Sequence, residues 1–142
     1  MAPRDIVLAV EIEAEPKVVF DTVATATGVA SFWTPDVTED DGGLSLGFPT
    51  AESRLPVTVA HTSAPEAIEW RFGGDWPFWN GSRGAWTFTP SETGTIALFE
   101  HLDYGDGMPD VPFGMVAYTW SMVLTKLKSV VESGGTPDPA LR

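Results

Sequence analysis

The middle of this sequence is a run of strand-like segments separated by turns too short to contain helices. Six such segments occupy residues 36–40, 44–48, 55–62, 67–72, 83–89 and 95–103. Turn sequences such as Asp41-Gly42-Gly43 and Glu92-Thr93-Gly94 stand between them. A parallel crossover needs a dozen or more residues, so we expect an antiparallel meander.

Helical patterns flank these strands. Residues 6–14 alternate apolar and polar side chains, which predicts a half-buried strand, and residues 16–25 have helical spacing that Gly28 is expected to end. A second short helical turn is predicted at residues 29–33, and a long amphipathic helix begins near Asp110. Its apolar positions are Phe113, Val116, Trp120, Val123, Leu127 and Val130. The predicted class is α+β, a curved antiparallel sheet of about six or seven strands around a C-terminal helix.

Composition limits the classes of function. The 142 residues suit one domain over residues 1–142, with a core of residues 6–134 and a tail of residues 135–142. An apolar content of 43% excludes a disordered chain. The net charge of -12 argues against nucleic acid and anionic membrane surfaces as partners. The absence of cysteine excludes disulfides and fits a cytoplasmic protein.

No membrane, metal or cofactor site is predicted. The longest uncharged stretch, residues 111–125, is shorter than the roughly 20 residues of a spanning helix. The spacing of Asp36, Thr38 and Asp40 matches the first ligand positions of a calcium-binding loop. That loop also needs Gly and Glu at two later positions, where this sequence has Asp41 and Gly47. No Gly-rich phosphate loop follows a strand.

The order of these elements resembles the helix-grip fold of the SRPBCC (START-like) superfamily across residues 7–137. Local pieces are similar to the branch named after the activator of heat shock protein 90 ATPase. They are residues 12–16 (IEAEP) with 18–20 (VVF), residues 28–33 (GVASFW), residues 65–70 (PEAIEW), and residues 120–128 (WSMVLTKLK) with 132–134 (ESG).

The resemblance implies a cavity between the sheet and the C-terminal helix. Members of the superfamily bind lipids, steroids, polyketides or other apolar ligands, and some are aromatase/cyclases. The fold alone leaves the chemistry open. The co-chaperone activity in the branch name belongs to longer proteins with an additional domain, so the resemblance does not extend to it.

Two histidines are candidates for acid–base chemistry because no other side chain in the sequence titrates near neutrality. His61 is expected to share a strand face with Val57 and Val59, and His101 lies in a strand whose two faces are both apolar. If these faces line the cavity, each imidazole could bind a ligand or act as a base. The alternative is a half-exposed histidine at the end of a strand.

Glu100 is the third catalytic candidate. Facing inward it would have a raised pKa, whereas facing outward it would be an ordinary solvated carboxylate. No Ser-His-Asp or paired-carboxylate spacing is present. An aromatase/cyclase-like enzyme that uses His101, Glu100 or His61 is therefore the alternative to a non-catalytic binding protein.

The aromatic residues favour an apolar or aromatic ligand. Trp70 and Phe72 share one face of a predicted strand, and Trp86 and Phe88 share one face of the next. Such rings fill either an ordinary core or a ligand cavity. The predicted ligand-binding set is Trp33, Val59, His61, Trp70, Phe72, Trp86, Phe88, Phe99, His101, Tyr118 and Trp120.

The segment of residues 73–81 is a loop by its Gly and Pro content, yet it carries Trp76, Phe78 and Trp79. These rings are expected to form either a lid over the cavity or a contact with a partner, including a homodimer. Three hypotheses follow. They are a protein that binds a small hydrophobic molecule, an aromatase/cyclase-like enzyme, and an interaction module that uses this loop.

Overall fold

The computed structural model describes residues 4–104 and 107–134 of the chain, so the predicted tail lies outside the described residues. The elements are β1 (Ile6–Ile12), α1 (Pro16–Ala24), α2 (Ala26–Phe32), β2 (Asp36–Asp40), β3 (Gly43–Gly47), β4 (Leu55–Ser63), β5 (Ala67–Phe72), β6 (Arg83–Pro90), β7 (Thr95–Leu102) and α3 (Asp110–Glu132). The seven strands form one sheet in the order β1-β7-β6-β5-β4-β3-β2. Every pairing is antiparallel, which confirms the predicted α+β helix-grip fold.

The corner between α1 and α2 differs from the prediction. The first helix ends at Ala24, one residue before the predicted end at residue 25, but Gly28 does not separate the two helices, because α2 runs through it. Thr25 is extended and its hydroxyl accepts a hydrogen bond from the Gly28 backbone N–H at 3.1 Å, which caps α2. A Cβ at Gly28 would lie 1.8 Å from the Thr22 carbonyl oxygen. Glycine therefore permits the close approach of two helices here and does not end one.

The closing helix packs on β1 and α2. Its buried side chains are Trp120, Val123, Leu124, Leu127, Val130 and Val131. Asp110 is the first helical residue rather than the cap, because Pro109 occupies the N-cap position and no side chain caps this end. No helix in residues 4–104 and 107–134 is long and apolar enough to cross a membrane.

The face of the sheet toward the helices, called the inner face below, carries the core. In β7 the residues Ala97, Phe99 and His101 are buried and Ile96 is exposed, so the inner face of this strand is the one with His101. The strand pattern left this choice open because both faces of β7 are apolar. Burial against Trp86 and Trp120 decides it.

Candidate functional site

A cavity of about 330 Å³ lies where α2, the β3–β4 connection, the β5–β6 loop and α3 meet. Trp33 comes from α2's end, Trp76 and Trp79 come from the loop, and Trp120 comes from α3. The other lining residues are Phe48, Thr50, Ala51, Val116, Thr119 and Val123. Four tryptophans from three separate segments of the sequence thus surround one space.

The rings around this space support one another. The Trp33 ring centroid lies 4.9 Å from that of Trp120, and its other side stacks on Trp70 at 5.7 Å. The Trp76 centroid lies 5.2 Å from that of Phe48 and 5.2 Å from that of Trp79. Because each ring is held by others at van der Waals distance, the walls of the cavity are preorganised.

The β5–β6 loop turns its tryptophans inward. Trp79 is 8% exposed, and the Trp76 indole N–H donates to the Ser53 carbonyl at 2.8 Å, which ties the loop to the β3–β4 connection. Phe78 has a positive φ of 69° and is the ring of this loop that faces solvent, at 45% exposure. The loop therefore covers one side of the cavity with Trp76 and Trp79, and it exposes Phe78 on its outer side.

Most rings of the predicted ligand-binding set fill the core instead of lining the cavity. Five of these rings are buried and do not line the cavity. They are Trp70, Phe72, Trp86, Phe88 and Phe99. Their ring centroids lie 4.6 Å apart for Trp86 and Phe99 and 5.6 Å apart for Trp70 and Trp86. The sheet face was correctly predicted to be aromatic, but these five rings pack against one another instead of lining the cavity.

His101 is a buried link in a hydrogen-bond chain. The Trp120 indole N–H donates to His101 Nδ1 at 3.1 Å, so Nδ1 is the unprotonated ring nitrogen. Nε2–H then donates to Ser82 Oγ at 2.9 Å, and the Ser82 hydroxyl donates to the Trp79 carbonyl at 2.7 Å. The Tyr104 ring stacks on the imidazole at 4.1 Å. This chain joins α3, β7 and the loop that covers the cavity.

The geometry contradicts a role for His101 as a general base at the cavity. Burial lowers the pKa of His101 to about 3, so the ring stays neutral at ordinary pH. Both of its nitrogens are occupied by Trp120 and Ser82, and its side chain has no contact with solvent. The ring positions Trp120 and the loop rather than facing a ligand.

A bulge in β4 moves His61 away from the predicted face. Val59 pairs with Trp70, but the register shifts and His61 pairs with Glu69. Directly paired residues share a face, and Glu69 and Trp70 are on opposite faces, so His61 lies on the outer face of the sheet. The prediction that His61 shares a face with Val57 and Val59 is wrong because one extra residue reverses the alternation.

Glu100 also lies on the outer face, where it pairs with Val7 and Ala85. Of the three catalytic candidates, two therefore point away from the helices and the third is sealed in the core. The version of the enzyme hypothesis that used them is contradicted by this geometry. In residues 4–104 and 107–134, no group of three His, Asp or Glu side chains could hold a metal ion.

Val59, Trp70 and Tyr118 of the predicted set also lie away from the cavity. Val59 and Trp70 border a separate depression of about 260 Å³ beside β2 and β3. Tyr118 is exposed on α3 and does not line the cavity. Trp33 and Trp120 are thus the members of the predicted ligand-binding set that meet at the cavity, together with Trp76 and Trp79 of the predicted lid.

Several residues that line the cavity are absent from the predicted ligand-binding set. Val116 and Val123 stand four residues before and three after Trp120, so they are predicted on the same apolar helix face, but this spacing does not assign them to the cavity. Phe48 ends a predicted apolar strand and offered a weaker signal. Thr50 and Ala51 belong to a connection without periodicity and carried no signal.

The rim of the cavity is acidic. An adjoining depression of about 380 Å³ shares Ala51, Trp76 and Trp79 with the cavity and is also lined by Glu52 and Asp75. Neither carboxylate forms an ion pair with another residue in the described part of the chain. A negative potential is therefore expected at this side of the tryptophan walls.

No protein-family model matches the chain, and a search of curated proteins returned no match. Solved structures do share its fold. The Aha1 dimer from Colwellia psychrerythraea has a TM-score of 0.80 at 20% identity, over 92% of this chain and 98% of that chain. A protein from Staphylococcus saprophyticus has a TM-score of 0.73 at 18% identity, over 96% of each chain.

DynU16, a protein of the dynemicin biosynthetic locus, has a TM-score of 0.72 at 17% identity. The match covers 92% of this chain and 48% of DynU16, so it spans about half of that longer protein. At these identities the likeness shows the fold. It confirms the helix-grip architecture expected from the SRPBCC resemblance, in which the sheet and the long C-terminal helix enclose the core.

Proposed function

We propose that the protein binds a small apolar or aromatic molecule in the cavity walled by Trp33, Trp76, Trp79 and Trp120. The observation that carries this proposal is the convergence of these four rings on a space of about 330 Å³. That volume falls within the roughly 300–1,000 Å³ of small-molecule pockets. Solved structures with the same helix-grip fold include a protein from a biosynthetic locus, which is consistent with a ligand-binding fold.

The polar groups at the cavity suggest how a ligand would be oriented. Thr50 and Thr119 contribute hydroxyl groups to an otherwise apolar lining. The Thr119 hydroxyl already donates to the Met115 carbonyl at 2.9 Å, so its oxygen is left as an acceptor. A flat apolar molecule with one hydrogen-bond donor would match this lining. We place this binding in the cytoplasm, which the absence of cysteine supports.

The direct test is to look for a bound molecule and to measure binding of a neutral aromatic probe. Protein purified under native conditions is denatured, extracted with organic solvent and analysed by mass spectrometry. N-phenyl-1-naphthylamine is titrated in parallel while tryptophan and probe fluorescence are followed. No extractable molecule, together with no saturable response to the probe, would overturn the proposal.

Filling the cavity should abolish this binding. Val116→Phe adds a phenyl ring from α3 into the lined space, and we expect the probe's dissociation constant to rise more than about tenfold. Val18→Phe makes the same substitution at an exposed helical valine of α1 and should leave the constant unchanged. Equal affinities for the two variants would show that the probe binds elsewhere.

The acidic rim should weaken the binding of anionic ligands relative to neutral ones. We expect the anionic probe 8-anilinonaphthalene-1-sulfonate to bind about tenfold more weakly than the neutral probe at low ionic strength, because Glu52 and Asp75 stand beside the tryptophans. Raising the salt concentration should reduce the difference in affinity between the two probes, since screening shortens the range of the repulsion between the anionic probe and the carboxylates. A ratio that does not depend on salt would place the probe away from these carboxylates.

We further propose that the chain associates with a second copy of itself. The helix-grip structure from Colwellia psychrerythraea was determined as a dimer, and it covers nearly the whole of this chain. Sedimentation velocity over a range of protein concentrations tests this part of the proposal. A mass that stays at the 15.3 kDa of one chain throughout would contradict it.

A further inference from the structure

Three polar groups in the walls of the tryptophan-lined cavity have their hydrogen-bond donors bound within the protein. The Trp76 indole N–H donates to the Ser53 carbonyl, and the Trp120 indole N–H donates to His101 Nδ1. The Thr119 hydroxyl donates to a backbone carbonyl of its own helix. These three side chains therefore offer a ligand two aromatic rings and a hydroxyl oxygen, all of which are electron-rich.

The rings around the cavity are of the kind that attracts positive charge. The face of an aromatic ring carries negative partial charge, and the indole of tryptophan binds cations more strongly than the other aromatic side chains do. Four tryptophans and one phenylalanine line this space, namely Trp33, Phe48, Trp76, Trp79 and Trp120. Several rings around one space form the arrangement that holds ammonium groups in aromatic cages.

The carboxylates beside the cavity add to this negative potential. Glu52 and Asp75 are exposed, and neither forms an ion pair with a residue in the described part of the chain. Arg54, the cationic residue nearest to Glu52 in the sequence, is held by the Asp36 carboxylate at 2.9 Å. In a chain with a net charge of -12, a cation that approaches this rim is attracted to it.

No positive charge among the described residues competes for this space. Neither the cavity nor the adjoining depression is lined by a Lys, Arg or His side chain from residues 4–104 and 107–134. His101 lies behind the wall, with its ring centroid 4.7 Å from that of Trp79 and 5.8 Å from that of Trp120. Burial lowers the pKa of His101 to about 3, so this ring adds no positive charge at ordinary pH.

We propose that the ligand of this cavity is an organic cation, in which an apolar or aromatic body carries an ammonium group. The ammonium group lies among the indole rings, and the Glu52 and Asp75 carboxylates draw it to the mouth of the cavity. Where the ammonium group carries an N–H, the Thr119 oxygen can accept it. This assignment rests on the proposed ligand binding and names the chemical class of the ligand. It is independent of self-association.

A matched pair of probes separates the effect of charge from that of shape. Benzyltrimethylammonium and neopentylbenzene have the same framework, except that a quaternary nitrogen in the first replaces a quaternary carbon in the second. Binding of each is followed at low ionic strength by tryptophan fluorescence and by displacement of N-phenyl-1-naphthylamine. We expect the cation to bind about tenfold more tightly, although the neutral probe is the more hydrophobic of the two.

Neutralising the rim should weaken the binding of the cation selectively. Glu52→Gln and Asp75→Asn should each raise the dissociation constant of benzyltrimethylammonium severalfold and leave that of neopentylbenzene unchanged. Glu66→Gln removes the same charge from an exposed glutamate between β4 and β5 that lines neither space, and it should leave both constants unchanged. Circular dichroism checks that each variant keeps the helix-grip fold.

Fluorination tests the contribution of the indole rings themselves. Replacing every tryptophan with 5-fluorotryptophan withdraws electron density from the ring faces and changes the shape of the cavity little. The dissociation constant of benzyltrimethylammonium should then rise severalfold, while that of neopentylbenzene stays close to its original value. A role of the rings in shaping the cavity alone would change both constants alike.

The outcomes distinguish the ligand class from ligand binding itself. If neither benzyltrimethylammonium nor the neutral probes bind, the proposed function fails and the cation assignment fails with it. If the neutral probes bind and the cation binds no more tightly than neopentylbenzene, the cation assignment is overturned and ligand binding stands. A cation affinity that falls as much with Glu66→Gln as with Glu52→Gln would attribute the preference to the net charge of the protein, and would also overturn the assignment. An unchanged cation affinity after fluorination would overturn the role of the rings.

Discussion

Replacing Trp120 with Ala should lower the free energy of unfolding by about 4 kcal/mol, within the range for large-to-small aromatic substitutions in cores. The Trp120 ring is buried, and its centroid lies 4.2 Å from that of Phe99 and 4.9 Å from that of Trp33. The substitution would also remove the N–H that donates to His101. Urea unfolding followed by circular dichroism measures the loss, which corresponds to a fall in Tm of roughly 10 °C.

Trp120→Phe is the matched control. It keeps an aromatic ring in place but removes the indole N–H, so His101 Nδ1 is left as a buried acceptor without its donor. We expect a loss of about 1–2 kcal/mol, which is the usual effect of leaving one buried polar atom unpaired. If Trp120→Ala destabilised the protein no more than Trp120→Phe, the packing of Trp120 against Trp33 and Phe99 would contribute little, and the preorganised wall would be refuted.

The stability of the protein should fall steeply below neutral pH because His101 is held neutral. Burial lowers its pKa in the folded state from 6.5 to about 3, whereas the unfolded chain protonates it near 6.5. Between these values the unfolded state binds one more proton, so stability is fully present above pH 6.5 and is lost as the pH falls toward 3. From pH 6.5 to 4 this amounts to about 3 kcal/mol.

His101→Gln isolates this contribution from the many carboxylates that titrate in the same range. Glutamine can accept from Trp120 and donate to Ser82 but has no proton to gain. Between pH 6.5 and 4, the variant should therefore lose about 3 kcal/mol less stability than wild type in urea titrations at each pH. Parallel stability curves for the two proteins would mean that His101 titrates normally in the folded state.

The architecture was predictable because it depends on local chemistry. Turn sequences between residues 36 and 103 leave no room for crossovers, and this alone requires antiparallel pairing. The change from alternation to helical spacing near Phe113 marks the one long helix. The α1–α2 corner was predicted less well, since the role of Gly28 depends on the proximity of Thr22 and not on its own conformational freedom.

The candidate site was predictable only in part. The aromatic character of β5, β6 and α3 is visible in the sequence, and so is that of the loop with Trp76 and Trp79, but the sequence left open whether that loop forms a lid or a partner contact. The alternation of apolar and polar residues does not show whether a ring packs against another ring or lines a cavity. Trp86 packs against Phe99, whereas Trp33 lines the cavity. The bulge after Val59 likewise has no signature in the residues around it, so the face of His61 could not be foreseen.

The order of strands and helices, the aromatic inner face and the uncharged stretch within α3 follow from local sequence, because periodicity, turn residues and charge act between neighbours along the chain. Which rings meet depends on the tertiary packing. Trp33, Trp76, Trp79 and Trp120 come from three separate segments, and their convergence follows from how the sheet, the loop and the helices pack. The same packing seals His101 inside and leaves Tyr118 outside, since burial depends on what the rest of the chain places opposite each side chain.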